Sequence, residues 1–269
     1  MKTFRVASIN ISNDPNGLSD RYSDLAHALK TLKTDFLLMQ EVTEPELLEK
    51  VLQVIGFRHV TLGASTGDRH KNDRLLIASI EPHSLLQETR SFGNHRSGLY
   101  VTSKVGRHRL VLATSHFAWG SDAEGIRLRQ AEEVNHNAMK LVNDGKDPAD
   151  IIIFGGDLNS DEESKTVRYL HGFDLAEDGV SSTYWTDAFA SGRGSAEDWA
   201  TTDQGGNEIG KATAKRFGID YPEFLPQRRI DYLLSYGWRY GKPGGAVAFG
   251  TFAKNVSDHH GIWADFIAE

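Results

Sequence analysis

The chain of 269 residues contains no cysteine. Disulfides, thiolate zinc sites and cysteine nucleophiles are therefore excluded. Proline is scarce, at seven residues, and no Pro/Ser linker divides the chain. Long apolar runs are missing too: nothing approaches the roughly 20 apolar residues of a membrane-spanning helix. The first ten residues, MKTFRVASIN, alternate like a strand. They lack the roughly 7–15-residue apolar core of a signal peptide, so no export signal is expected and a cytoplasmic location is the default. Positive charge is also short, with a net charge of −7. A protein that grips duplex DNA through its overall field is normally basic. This chain needs a local basic patch, a bridging cation, or a substrate that is not a long polyanion.

What is present is a regular alternation of short apolar runs and helical segments. With 39% hydrophobic and 25% charged residues, a soluble globular protein is expected. Phe4–Ile9, Phe36–Met39, His59–Leu62, Arg74–Ser79, Leu85–Thr89, Leu99–Lys104 and Arg109–Ser115 read as strands. Ile151–Phe154, Ile230–Leu234, Gly245–Phe249 and Gly261–Phe266 continue the series. Apolar residues at helical spacing mark Leu18–Leu32, Pro45–Ile55, Ala123–Asn143 and a shorter helix from Ser164 to Leu170. Nine to eleven strands with helices between them imply a mixed sheet or two stacked sheets covered by helices. The segment 191–227, rich in Gly, Ser, Thr, Asp and Glu, lacks periodicity and is expected to be loop-rich and functional or mobile. One domain spanning 1–269 is expected, a monomer by default.

Several apolar runs stop at polar groups in the same manner. The first ends at Asn10, "FLLMQE" at Gln40 and Glu41, and "LVLATSHF" carries His116 at its end. "IIIFGGDLNS" passes through two glycines to Asp157 and Asn159; "RRIDYLLS" places Asp231 inside a strand; "VSDHHGIWADF" sets Asp258 and His259 just before the last one. Each alone is ordinary, since Asn or Asp at a strand end is most often a turn residue. Together they are a set of oxygen and nitrogen donors suited to Mg²⁺ or Mn²⁺ with water retained as nucleophile. Asp157 and Asn159, two apart on an extended segment, share a face, and Gly155 and Gly156 permit close backbone approach. A buried Asp231 needs a partner, and a histidine is the natural one, because an Asp–His pair fixes the imidazole tautomer.

Residues of these types, in this order, resemble the endonuclease/exonuclease/phosphatase superfamily. It includes deoxyribonuclease I-like nucleases, abasic-site endonucleases, deadenylases, tyrosyl-DNA phosphodiesterases, inositol polyphosphate 5-phosphatases and neutral sphingomyelinases. The resemblance spans Ser8 to Phe266 and rests on N, QE, SH, GDLN, RIDYLL and SDHH taken in order. It implies a four-layered α/β sandwich of two packed, mainly antiparallel sheets flanked by helices. It also implies Glu41 as the main metal ligand with Asn10 beside it, and Asp258 as a further acidic residue at the metal or phosphate. Asp157 and Asn159 match the pair that positions water and phosphate, His259 the catalytic histidine, Asp231 its orienting carboxylate, and His116 a candidate general acid. Either Asp157 or His259 can serve as the general base.

The resemblance does not fix the substrate. Ser12 stands where abasic-site enzymes carry an Asp, and the W-C-D-R signature of the inositol 5-phosphatases is missing where "PQRRIDY" stands. "GDLNSDEES" is closer to the deadenylases. Arg127, Arg129 and Arg229 are candidates for phosphate contact, along with Arg74 and Arg228, because the guanidinium fork matches phosphate oxygens. Trp119, soon after the strand that ends at His116, is the best placed aromatic for stacking on a base or ring, ahead of Tyr184, Trp199 and a core-bound Trp185. His260 is expected to point away from His259, since neighbours alternate along a strand. The other eight histidines, His27, His59, His70, His83, His95, His108, His136 and His171, are expected at the surface or in structural positions. The expected function is a divalent-metal-dependent phosphodiesterase of nuclease type, with a phosphoester as substrate and nucleic acid the first candidate. The alternatives are a phosphatase or phosphodiesterase on a small or lipid-linked phosphoester, and an inactive binding module.

Overall fold

A computed structural model describes residues 1–14, 16–65, 74–89, 96–176 and 178–269. His70 and His95 lie outside these residues. In chain order the elements are β1 (Thr3–Asn10), α1 (Leu18–Leu32), β2 (Phe36–Val42), α2 (Pro45–Val54), β3 (His59–Leu62), β4 (Arg74–Ser79) and β5 (Ser84–Thr89). Then come β6 (Gly98–Val105), β7 (His108–His116), α3 (Glu124–Val142), β8 (Ile151–Asp157) and α4 (Lys165–Leu170). The last are β9 (Trp185–Asp187), α5 (Ala188–Ser191), α6 (Glu208–Arg216), β10 (Asp231–Tyr236), β11 (Ala246–Phe252) and β12 (Gly261–Ile267).

The strands form two six-stranded sheets, ordered β11-β12-β1-β2-β4-β3 and β5-β6-β7-β8-β10-β9. Each is antiparallel except for one central parallel pair, β1 with β2 and β7 with β8. Those two pairs are joined through α1 and α3, as parallel neighbours require a crossover. The sheets are thus built to the same plan, a repetition that left no trace as a repeated sequence. Apolar side chains such as Val6, Leu38, Ile77, Val101, Leu112, Ile153, Leu233 and Phe266 fill the space between the sheets. A second apolar cluster lies under α1 and α2, including Leu25, Leu29, Leu37, Met39, Leu48 and Leu52. A third lies under α3 and α4, including Leu128, Val134, Ile152, Phe154, Leu170 and Trp185. Three cores separate four layers, the expected α/β sandwich.

The structure adds elements that the sequence pattern hid. There are twelve strands among the described residues, against nine to eleven expected. The addition is β9, which at three residues is too short to show alternation. Segment 191–227 is not all loop, because it holds α6, started by Asn207, whose side chain accepts from Gly210 N. No described helix is long and apolar enough to cross a membrane.

Candidate active site

Sheet register places the polar residues. In the second sheet, β8 lies between β7 and β10, with His116 opposite Asp157 on one side and Asp231 opposite Asp157 on the other. Three strand ends therefore present His116, Asp157 and Asp231 as one row. In the first sheet, Asn10 pairs with Gln40 across the parallel strands, and Glu41 follows. Both rows sit at the carboxyl ends of the parallel pairs, where open α/β sheets form their crevices.

Local backbone devices aim the side chains. Between Met39 and Val42, β2 carries one residue more than its partner β4. This is a bulge, and within it Glu41 adopts a left-handed φ of 58°. Gln40 stays inside and donates to Thr114 Oγ1 (2.9 Å) and Ser8 Oγ (3.3 Å), tying the two sheets together. Glu41 is thereby turned out of the strand. Asn159 is also left-handed, at φ 48°. Its backbone N–H donates to Asp157 Oδ1 at 2.8 Å, and its Nδ2 donates to Phe117 O at 3.2 Å. Gly155 and Gly156 are close-packed as expected from their position. A Cβ at Gly155 would come within 2.8 Å of both Leu233 and Leu38, and one at Gly156 would collide with the backbone of Ser115.

The two carboxylates Glu41 and Asp157 converge on one nitrogen. Asn10 Nδ2 donates to Glu41 Oε1 and to Asp157 Oδ2, each at 3.1 Å. Its carbonyl oxygen accepts from Ser12 N at 2.9 Å. Asn10, expected as a metal ligand, is therefore turned to hold the carboxylates through its amide nitrogen. Glu41 Oε2 accepts from Asn13 N at 2.8 Å. His116 lies between the same carboxylates, with Nδ1 3.8 Å from Glu41 and Nε2 3.4 Å from Asp157. Arg96 Nη1 lies 3.1 Å from His116 Nδ1. Because arginine can only donate, Nδ1 accepts there and a ring proton sits on Nε2, toward Asp157.

His259 completes the cluster. Its Nδ1 is 2.9 Å from Asp231 Oδ2 and its Nε2 is 3.8 Å from Asp157 Oδ2. Burial works against charge on this ring, but Asp231 and Asp157 outweigh it and hold the imidazole well above its usual range. Burial pushes the Asp231 carboxyl up, with His259 opposing. Burial pushes Asp157 the same way, but the His259 charge wins and leaves it below the usual carboxylate range. The directions favour positive charge on His259, which faces Asp231 through Nδ1 and Asp157 through Nε2. Thr201 Oγ1 accepts from the backbone N–H groups of Ile230 and Asp231, fixing the start of β10. Ser257 is buried in the turn, accepting from His259 N (3.3 Å) and donating to Asp258 Oδ1 (3.1 Å). His260 does face away: its Nδ1 meets Ala200 O at 3.2 Å, in a separate polar cavity of about 330 Å³ lined also by Asp203, Asn207 and Lys254.

Two expected phosphate contacts are corrected. Arg127 is buried, donating to Glu124 and to the carbonyls of Ala118 and Gly120. Arg229 is also buried, clamped by Asp187 and Glu162 between the rings of Phe189 and Tyr232. Both guanidiniums are buried and engaged inside the protein, where phosphate contact was expected of them. Arg228 pairs bidentately with Asp161. Arg129 sits on the exposed side of α3. Trp185 is core, Trp199 donates to Glu162 at 3.4 Å, and Trp119 is exposed.

Arg21 and Arg96 were not anticipated. Arg21 is buried on α1 and donates to the carbonyls of Ile11, Ser12, Asp14 and Val256. It thereby straps the loop that carries Asn13 to the loop that carries Asp258. Its signal was an arginine in an apolar helical stripe, between Leu18 and Leu25. Arg96 follows no pattern in the sequence.

The donor chemistry at this site fits a hard divalent cation. Glu41, Asp157 and Asp258 offer oxygen, and one carboxylate oxygen, Asp231 Oδ1, is buried with no hydrogen-bond partner among the described residues. Asp157, Asp231 and His259 form a buried group whose ligand atoms lie within 4.8 Å of one another. In that group, however, the imidazole nitrogens already face the two carboxylates, which suits a proton better than an ion. Glu41 is the more open carboxylate, half-buried at the rim.

Two sheets sandwiched by helices, with a polar row from each meeting at their carboxyl ends, define the deoxyribonuclease I-like class of fold. The chain belongs to the Endonuclease/Exonuclease/phosphatase family, whose family model matches residues 6–259. Among solved structures, truncated Caenorhabditis elegans TDP2 superposes with a TM-score of 0.73 at 19% identity, covering 99% of this chain and 98% of that one. D. rerio TDP2 complexed with single-strand DNA product gives 0.72 at 17% identity, over all of both chains. ANGEL2, a 2',3'-cyclic phosphatase in complex with adenosine-2',3'-vanadate, gives 0.68 at 14%, covering 98% and 95%. No curated protein sequence matches the chain.

Proposed function

We propose that the chain is a divalent-metal-dependent phosphoester hydrolase acting on phosphodiester bonds of nucleic acid or nucleotides. The observation that carries this is the meeting of Glu41 and Asp157 on Asn10 beside the Asp231–His259 pair. The family assignment and the nucleotide-bearing ligands of the similar structures support it.

Glu41, steadied by Asn10 and Asn13, would hold a Mg²⁺ or Mn²⁺ ion, with Asp258 as the further carboxylate; the ion supplies charge neutralisation on the phosphate oxygens. Asp157, kept ionised by His259, is the group placed to take a proton from the attacking water. Asn159 fixes the Asp157 carboxylate through its backbone N–H. His259, protonated and oriented by Asp231, presents Nε2 to a phosphate oxygen as a charged donor. His116 would offer its Nε2–H as a hydrogen bond to the leaving oxygen, which takes its proton from solvent, because a ring whose Nδ1 accepts from Arg96 has no second proton to give. This assigns the base to Asp157 in preference to His259, because a ring held protonated cannot accept.

A smaller phosphoester remains the second reading, favoured by the net charge of −7. One screen separates the two: short single-stranded oligonucleotides, nucleotides and lipid phosphoesters with Mg²⁺, Mn²⁺ or chelator, and Asp157→Asn as control. Divalent-dependent cleavage of oligonucleotides that Asp157→Asn abolishes is the expected result. Cleavage restricted to lipid phosphoesters, or none of any substrate, would contradict it.

A further inference from the structure

Two exposed aromatic rings meet outside the polar cluster. Trp119 and Phe217 have ring centroids 5.8 Å apart with planes tilted by 44°. Both are mostly exposed, at 56% and 67%.

Trp119 is tethered to the site by the loop after β7, and Phe217 by a hydrogen bond from α6 to the loop after β1. Trp119 is three residues beyond His116. The intervening Phe117 donates its N–H to Asp157 O at 2.8 Å and accepts from Asn159 Nδ2. Arg127 holds the carbonyls of Ala118 and Gly120, one on either side of Trp119. Phe217 follows α6, whose Arg216 donates to Asp14 Oδ2 at 2.5 Å. Asp14 lies beside Asn13, which binds Glu41. A continuous line of contacts therefore runs from His116 through Trp119 and Phe217 to Asp14 and Glu41. Through chain neighbours and these hydrogen bonds it joins the polar row of one sheet to that of the other, so the ring pair lies beside the polar cluster.

The pair suits a flat ring. Trp119 and Phe217 touch each other, so nothing fits between them; Phe217 props the indole and leaves its outer surface open. A buried guanidinium that fixes the backbone on both sides of an exposed tryptophan is a device for orienting that ring. Gly120, Ser121 and Asp122 follow Trp119, and Lys215 and Arg216 precede Phe217, while the exposed Ile219, Tyr221 and Phe224 come after it; the surround is mixed, and it is the fixed, flat indole that favours a ring over an acyl chain. A nucleobase offers a π face of matching size and tolerates a polar surround.

We propose that Trp119, propped by Phe217, is a stacking subsite for the nucleobase next to the scissile phosphate, which makes the substrate class nucleotidic. This rests on the phosphoesterase reading for where the phosphate lies. The test is equilibrium binding, by fluorescence anisotropy, of a labelled single-stranded trinucleotide and of the same probe with tetrahydrofuran spacers replacing the nucleosides. Both are measured with chelator present, so no turnover is needed. Base stacking implies about 10-fold tighter binding of the base-bearing probe by wild type. Trp119→Ala and Phe217→Ala should abolish that preference, and Trp119→Phe should keep part of it. Both side chains are exposed, so the variants should fold, which their thermal midpoints check. Equal affinity for the two probes, no binding of either, or a preference that survives Trp119→Ala would overturn the proposal. Oligonucleotide cleavage without base preference would sink the subsite and leave the hydrolase reading intact. Base preference in a protein that cleaves nothing would do the reverse.

Discussion

Replacing Asp231 with Asn probes the charge balance of the site with little change of shape. The amide oxygen can still accept from His259 Nδ1, now 2.9 Å from the carboxylate. What disappears is the larger of the two negative charges that hold the imidazole protonated against burial. Asp157, 3.8 Å from Nε2, remains as the weaker partner. The His259 pKa should fall. If the imidazolium is the working form, the alkaline limb of kcat/KM moves to lower pH, and turnover near neutrality drops by about 10²–10⁴-fold. Stability should change much less. A hydrogen bond between charged groups contributes about 1.5–3 kcal/mol, yet burying the Asp231 carboxylate is itself costly, as its raised pKa shows. The two terms offset, leaving about 1 kcal/mol either way and a shift of roughly 2–4 °C in Tm. The pH dependence of stability carries its own sign. His259 has a folded pKa above its unfolded value, so its contribution is complete below the unfolded pKa and is lost as pH rises through the folded one. Asp231→Asn should flatten that alkaline loss. The assays are kcat/KM against pH and thermal unfolding against pH. An alkaline limb that stays in place in a folded variant would refute the reasoning.

Three further outcomes follow from the packing. Arg229→Ala leaves the buried Asp187 carboxylate without its partner, so it should cost about 3–5 kcal/mol while KM for substrate stays unchanged; a KM effect at normal Tm would restore Arg229 to the cleft. Gly156→Ala sets a Cβ against the Ser115 backbone and should destabilise by about 1–3 kcal/mol, read by urea unfolding, with activity falling as His116 and Asp157 are pushed apart. His83 has its pKa pushed down to about 4, by burial and then by His59. Its unfolded form takes up a proton from about pH 6.5 downward while the folded form does not, so stability should fall as pH drops from 6.5 toward 4. After allowance for its partial exposure the loss is about 1–2 kcal/mol, and His83→Gln should remove that slope; an equal slope in the variant would exclude His83 as the cause.

Much of the candidate site was legible because its residues mark the ends of apolar strands, where a polar group has few roles. Asn10, Glu41, His116, Asp157, Asp231 and His259 could be read that way. Their order along the chain identified the family. What stayed hidden depends on partners distant in sequence. Arg229 read as a cleft cation, but a sequence does not reveal Asp187 and Glu162, 42 and 67 residues away, closing around it; Arg127 had Glu124 in view three residues earlier, and what was hidden there is the fold of the loop that brings the Ala118 and Gly120 carbonyls onto it. The bulge that turns Glu41 has no glycine to announce it. Helix α6 had its signals, with Asn207 as cap and Lys215 and Arg216 in the last turn, but it buries only Gly210 and Ala214. So thin an apolar stripe does not stand out from a loop. The four-layered plan followed from strand count and family resemblance, whereas the pairing order depended on register that local pattern does not encode.

The most direct test of the site is turnover of a short single-stranded oligonucleotide, in Mn²⁺, by wild type, Glu41→Ala and His259→Ala, each shown to be folded by thermal unfolding. Wild-type cleavage with both variants reduced by about 10²-fold or more is the expected result. Both variants cleaving at near wild-type rates would show that the chemistry lies elsewhere.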